Sequence, residues 1–265
     1  MSYIKELILD FCPPFFLKIK KKFRPISWEN IKYSKNGVLF LPGGIYFNFR
    51  PYESSDFKVC KQIFFNKDYE LNKLSRYEEL INYYNKCSNP IIVDAGANIG
   101  AASVWFALRF PLAKIIAIEP DKENFRLLSK NSNSFSSIVP YCGAISSRPG
   151  ELYLKDPKDG AWGYLTSDTS DESSIPVKAI TIEDIFSEKI SGNPFIFKID
   201  IEGAEEDLFS RSSKIFDEFP LIIIELHDWL FPKKGKSQNF LKWHLSKNRD
   251  FVYIGENIFS ISNRF

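Results

Sequence analysis

From residue 91 onward the chain alternates short apolar runs of strand length with stretches of helical spacing, and that rhythm leaves few folds open. Ile91-Ile92-Val93 precedes a helical stretch from Ala101 to Phe110; Ile115 to Ile118 precedes a second, capped at Asp121 and running through Leu128. Ile138-Val139 opens a third run that reaches Ala144, and Phe195 to Ile199 and Leu221 to Glu225 are two more. Strands that are apolar throughout belong to a sheet covered on both faces, and strands separated by helices pair in parallel. Leu152-Tyr153-Leu154 and Ile175 to Ile180 depart from this rhythm and are expected to pair across a polar loop at 156–174; Phe251 to Ile254 and Ile258 to Ile261 read as a terminal hairpin. The expected class is α/β: a mostly parallel central sheet, helices on both faces and a C-terminal antiparallel hairpin.

The first ninety residues are less regular. Ile4, Leu7, Ile8 and Phe11 fall on one face of a helix that Pro13 and Pro14 stop, and Phe15, Phe16, Leu17 and Ile19 then run into a basic cluster of Lys18, Lys20, Lys21, Lys22 and Arg24. This segment either packs on the body of the protein or rests on a membrane surface, with rings in lipid and lysines on anionic headgroups. Gly37, Pro42, Gly43 and Gly44 punctuate a hairpin over 36–49, and 57–86 carries helical spacing. The chain divides into an appendage over 1–45, an entry segment over 46–89 and the main domain over 90–265.

Composition excludes several classes. With 35 Lys+Arg against 33 Asp+Glu the net charge is +2, unlike a general nucleic-acid binder. The four cysteines, at 12, 60, 87 and 142, have neither metal-finger nor redox spacing and suit reduced thiols in a cytoplasmic protein. No apolar run reaches the ~18 residues of a membrane span. Glu6 and Asp10 interrupt the N-terminus, so a signal peptide is not expected.

Chemistry-bearing residues gather at the ends of the strands. Asp94-Ala95-Gly96-Ala97-Asn98-Ile99-Gly100 follows the first strand and opens a helix, whose N-terminus offers unpaired N–H groups to a carboxylate or phosphate. A dinucleotide fold would want a second glycine where Asn98 stands, and Asp94 would repel a pyrophosphate. A sulfonium or ammonium group would instead be attracted, and S-adenosylmethionine carries both. Glu119 ends the next strand at the spacing where an acid accepts from ribose hydroxyls. Tyr141-Cys142-Gly143-Ala144 ends the third with small residues that let an adenine lie flat.

At the other half of the sheet, Lys198-Ile199-Asp200-Ile201-Glu202-Gly203-Ala204-Glu205 places Asp200 and Glu202 on one side of an extended segment. Glu225-Leu226-His227-Asp228 does the same for Glu225 and His227, one of only two histidines. Carboxyl ends of strands are where open α/β sheets do their chemistry. Trp162 and Tyr164, beside the polar loop, are candidates to pack on an acceptor sugar.

These blocks, with Ile118-Glu119-Pro120, Thr181-Ile182-Glu183-Asp184 and Ile224-Glu225-Leu226-His227, resemble the FkbM-type methyltransferase family, and Arg50 through Asp56 with Gln62-Ile63-Phe64 to Tyr69 resemble its entry segment. The resemblance runs from about Phe49 to His227; Pro51-Tyr52-Glu53-Ser54 departs from it. It implies a Rossmann-like class I methyltransferase fold, S-adenosylmethionine as donor, and O-methylation of a sugar, glycolipid or related natural-product hydroxyl. By position, Asp94, Gly96, Ala97, Asn98 and Gly100 would hold the methionine moiety, Glu119 the ribose and Ala144 the adenine side. Asp200, Glu202, Glu225 and His227 would face the acceptor.

A sugar hydroxyl attacks poorly until its proton leaves. His227, as a neutral imidazole at pH 7, is the first candidate base, with Asp200 or Glu202 orienting it or acting instead. A divalent metal on Asp200, Glu202 and His227 is the competing route, for which mixed O/N ligands suit Mg²⁺ or Mn²⁺ only moderately. Two rival functions remain: a nicotinamide-dependent oxidoreductase, and a non-catalytic donor-binding subunit of a polysaccharide assembly complex at the inner face of the membrane.

Overall fold

The computed structural model describes residues 31–34, 36–50, 55–155, 165–167, 174–187, 191–211 and 213–265. The N-terminal amphipathic segment and the pair Trp162 and Tyr164 lie outside them. No helix among the described residues is long and apolar enough to cross a membrane.

The centre is a seven-stranded sheet. Its strands are β4 (Pro90–Ala95), β5 (Lys114–Glu119), β6 (Ile138–Cys142), β11 (Asn193–Ile199), β12 (Leu221–Glu225), β13 (Arg249–Ile254) and β14 (Asn257–Ser262). The order is β13-β14-β12-β11-β4-β5-β6. All neighbours pair in parallel except those of β14, which runs antiparallel to both β12 and β13. This is the Rossmann-like class I methyltransferase arrangement expected above, with the terminal hairpin inserting its second strand into the sheet. The chain leaves β4 toward β5 and β6, then returns to the other side of β4 as β11. That reversal opens a crevice at the carboxyl ends of β4 and β11.

The two faces of the sheet explain the uninterrupted apolar runs. Ile92, Ile115, Ala117, Ile196 and Ile223 pack one way, against Trp105 and Phe106 of α3 (Ala101–Arg109) and Leu80 and Tyr84 of α2 (Tyr77–Lys86). Val93, Ile116, Ile118, Ile222 and Ile224 pack the other way, against Phe216 of α7 (Lys214–Glu218) and Phe240 and Trp243 of α8 (Gln238–Leu245). Successive residues point to opposite faces, and both faces are covered, so every position must be apolar. Aromatic rings fill the gaps, as where Tyr84, Phe110 and Phe195 meet with centroids 5.1–5.3 Å apart. His244 of α8 belongs to this packing, its Nδ1 3.0 Å from Ser260 Oγ.

The secondary features differ from expectation in three places. The 36–49 hairpin is part of a three-stranded sheet of β1 (Lys32–Ser34), β2 (Val38–Leu41) and β3 (Ile45–Asn48), so a boundary between 45 and 46 cuts through β3. The helical spacing of 57–86 is realised as α1 (Ser55–Cys60), a π-helical turn Lys61–Asn66, a 3₁₀ turn Leu71–Lys73 and then α2. Lys67, in the left-handed region at φ 60°, closes the first helical run. The third strand breaks at Gly143, where a Cβ would meet the Lys178 carbonyl at 2.7 Å. Beyond it, β7 (Ala144–Ile145) leaves the central sheet and pairs in parallel with β10 (Ile175–Ile180). There β8 (Gly150–Lys155) runs antiparallel to β10, as the sequence suggests, and β9 (Leu165–Ser167) adds an edge.

Candidate active site

The loop after β4 is anchored before any ligand enters. The amides of Gly96 and Ala97 donate to the Ile118 carbonyl at 3.0 and 2.9 Å, and the amide of Asn98 donates to Glu119 Oε2 at 2.8 Å. Asn98 adopts φ 50°, which asparagine tolerates in place of glycine. With its amide committed to Glu119, this turn is unlike an open pyrophosphate cradle, which disfavours the nicotinamide alternative. Gly96, at φ 76°, is required by packing: a Cβ there would sit 1.7 Å from the Asp200 carbonyl oxygen. The glycine lets the β4 loop lie directly against the end of β11. Gly100, at φ 90°, starts α3 without a side-chain cap, leaving the first N–H groups of that helix for another acceptor.

Asp94 does not face the crevice as a free charge. It is fully buried and accepts from Ser103 Oγ at 2.5 Å. Its Oδ1 lies 3.1 Å from Lys198 Nζ, yet has no aligned hydrogen bond. Lys198 is its register partner on the neighbouring strand, 3% exposed, and donates to the carbonyls of Gly96 at 2.7 Å and Ala95 at 3.3 Å. Burial favours the loss of the lysine's proton, but the carboxylates of Asp94 and Asp200 outweigh it and hold its pKa above the ordinary value. The attraction expected of Asp94 for a cation is thus largely met inside the protein. The uncompensated negative charge lies one step outward.

Glu119 is buried at the end of β5, with Oε1 accepting from the Asp121 amide at 3.0 Å. Burial raises its pKa to about 7 despite the amides of Asp121 and Asn98, which pull the other way. Ala144 is buried with Leu152, Leu154, Val177 and Ala179 in the small second core. Its strand turns away to join β10.

At the ends of β11 and β12 four carboxylates surround one imidazole. His227 Nδ1 donates to Glu205 Oε1 at 2.9 Å. Its Nε2 lies 3.4 Å from Glu202 Oε2, 3.6 Å from Glu225 Oε1 and 3.7 Å from Asp200 Oδ1. Asp200 and Glu202 do not share an extended segment, because β11 ends at Ile199. They converge because Glu202 takes φ 52° and Gly203 φ 93°, which folds the chain back toward His227. Gly203 is also held from above, since a Cβ there would meet the Phe231 ring at 2.2 Å.

The expectation of a neutral His227 is corrected by these neighbours. Burial alone would lower its pKa, but the Glu205 hydrogen bond and the charges of Glu205, Asp200 and Glu202 raise it to about 9. Burial, then repulsion from Asp200, raises Glu202 to about 7 and lifts Glu225 well above the ordinary carboxylate range.

Four residues of this region go beyond the sequence expectation. Lys198 is one, and the signal for it was a lysine inside an otherwise apolar strand. Glu205 locks the histidine from the first turn of α6 (Glu205–Leu208). Tyr69, buried and stacked on Phe106 at 5.6 Å, lies in the field of Lys198, Asp200, Asp94 and Glu225. Trp229 is 70% exposed beside the site, its ring centroid 6.4 Å from that of His227. The Thr181–Asp184 block is structural: Thr181 caps α5 (Ile182–Ile185) in a reciprocal capping box with Asp184. In the entry segment Arg50 grips Asp56 through Nε and Nη2 at 2.9 and 2.7 Å and reaches Asn124 Oδ1 at 2.6 Å.

The donor set fits S-adenosylmethionine. Buried Glu119 ends β5, α3 starts without a side-chain cap, and buried Asp94 Oδ1 has no aligned hydrogen bond. Two relatives of the chain are methyltransferases. Hexuronic acid methyltransferase AglP of Haloferax volcanii is 26% identical over 169 residues, covering 62% of this chain and 69% of that protein. Methyltransferase sdnD of Sordaria araneosa is 34% identical over 99 residues, 36% of this chain and 34% of that one. Among solved structures, the METTL16 methyltransferase domain aligns with a TM-score of 0.43 at 12% identity, covering 86% of this chain and 87% of that one. The model of the methyltransferase FkbM domain matches residues 94–253. The chain belongs to the FkbM-domain methyltransferases, and S-adenosylmethionine is its methyl donor.

Proposed function

We propose that this enzyme methylates a hydroxyl of a sugar or glycolipid acceptor. The observation that carries the reading is the convergence of Asp200 and Glu202, 30% and 28% exposed, at the crevice where the β4 loop meets the end of β11. A relative named for hexuronic acid methylation supports a sugar.

When bound, the donor supplies an activated methyl group on sulfur. The loop from Gly96 to Gly100 and Glu119 would hold it, and the first N–H groups of α3 would receive its carboxylate. The acceptor oxygen forms the new O–CH₃ bond while the S–CH₃ bond breaks and its electron pair stays on sulfur; the hydroxyl proton passes to a carboxylate. The greater exposure of Asp200 and Glu202 supports one of them, rather than His227, as the proton acceptor. The imidazole is 2% exposed, with one nitrogen committed to Glu205 and the other walled in by carboxylates, so it orients the acids. Incubating the protein with methyl-labelled donor and fractionated glycans tests the reading. Label in an ether linkage on a sugar is the expected result; label on protein or nucleic acid alone rejects it.

Trp229 provides an open ring face at the rim, suited to pack on a pyranose. Replacing Trp229 by alanine is expected to raise the acceptor KM about tenfold, about 1.4 kcal/mol, with donor affinity unchanged. An unchanged acceptor KM removes Trp229 from the binding surface.

Glu119 sets a pH dependence for donor binding. Its ionised form accepts ribose hydroxyls best, and it takes up a proton as pH falls through about 7. Donor affinity is therefore expected to weaken below about pH 7 and level off above it, relative to Glu119→Gln, which lacks this titration. Calorimetry from pH 5.5 to 8.5 on both proteins checks the sign; parallel profiles would show that Glu119 does not contact the ribose as a carboxylate.

A further inference from the structure

We infer that Asp200, Glu202 and His227 form a divalent-cation site, with Glu205 orienting the histidine from behind. One ligand atom from each of the three lies within 4.8 Å of the others. The Nε2 separations of 3.4 and 3.7 Å are ones that a single ion with bonds of about 2.1 Å spans with little movement.

Two further observations separate this cluster from an ordinary acidic surface. His227 is buried, and its Nε2 points at Asp200, Glu202 and Glu225 without an aligned hydrogen bond, although Nδ1 is fully engaged. An imidazole fixed by a buried carboxylate, with its other nitrogen turned to a group of oxygens, is the arrangement metal-binding histidines adopt. The remaining oxygen of Glu205, Oε2, is buried and has no hydrogen-bond partner, while Oε1 also accepts from the Gly203 amide at 3.2 Å. In addition, Glu202 occupies a left-handed backbone conformation that a glutamate rarely adopts, and this is what brings its carboxylate to Nε2.

Oxygen-rich ligands with a single nitrogen and a partly open front suit Mn²⁺ or Mg²⁺. The role given to the ion, drawing the acceptor hydroxyl toward loss of its proton, rests on the proposed O-methylation. Binding of the ion does not.

The test uses the full chain, stripped with EDTA and desalted, and titrated with Mn²⁺ while free Mn²⁺ is read by electron paramagnetic resonance. One Mn²⁺ per chain is expected, displaced by excess Mg²⁺. Affinity should fall at least tenfold in Glu202→Gln, which lies in a turn outside the sheet, and 10–100-fold in Glu205→Gln, which touches the ion only through His227. Circular dichroism and donor titration confirm that each variant is folded. Absence of stoichiometric Mn²⁺ binding, or equal affinity in wild type and both folded variants, overturns the site. Labelled methyl transfer to glycans that survives EDTA would overturn the role given to the ion while leaving the proposed function standing. Mn²⁺ binding without transfer to any glycan would do the reverse.

Discussion

Replacing Lys198 by methionine is expected to cost about 3–5 kcal/mol of folding stability, because the substitution leaves the buried Asp94 carboxylate without its counter-charge. For a domain of this size that is a fall in Tm of roughly 6–20 °C. The lysine also ties the Ala95 and Gly96 carbonyls at 3.3 and 2.7 Å, so the loop that receives the donor should loosen and donor affinity should drop as well. Removing both charges, with Lys198→Met and Asp94→Asn together, should restore most of the lost stability but not donor binding. Calorimetric melting of the two single variants and the double variant gives the coupling directly. Additive losses would mean that the two side chains do not act as a buried pair.

Asp200→Asn is expected to lower kcat by about 10²–10⁴ while leaving donor affinity within a few-fold. Asparagine keeps the size and the backbone hydrogen bond from the residue 200 amide to the Ala95 carbonyl, 3.1 Å. What it removes is a carboxylate that sits beside both His227 Nε2 and Lys198 Nζ. Single-turnover transfer of label with saturating donor separates this from a binding defect. Full activity in this variant would move the proton acceptor to Glu202, and full activity in both Asp200→Asn and Glu202→Gln would remove both carboxylates from the proton transfer.

The sheet was legible because its central strands are runs of consecutive apolar residues, broken mainly near their ends, a pattern few other folds require. The Asp94–Gly100 turn, Glu119 and the acids at the ends of β11 and β12 were legible because strand ends are where such a sheet places its chemistry. Their partnerships were not. That Lys198 neutralises Asp94 depends on the register of β4 against β11, which spacing along the chain does not encode. The role of Gly96 likewise looked like a ligand approach, whereas the close neighbour is the Asp200 carbonyl. His227 looked like a free base because its companions, Glu205 from α6 and Glu202 through a left-handed turn, come together only in three dimensions. Trp229 gave no signal beyond its neighbourhood to His227, since exposure is a property of the folded surface.

The insertion of β14 between β12 and β13 has a consequence for biogenesis. Glu225 sits on a strand whose outer neighbour is residues 257–262, with Glu225 opposite Asn257. On a ribosome, β12 emerges before that neighbour and waits as an uncapped apolar edge, open to pairing with other nascent chains. Closure of the sheet, and with it the final position of the Glu225 carboxylate, therefore follows synthesis of the hairpin, and premature termination before Asn257 would yield an aggregation-prone product rather than a slow enzyme.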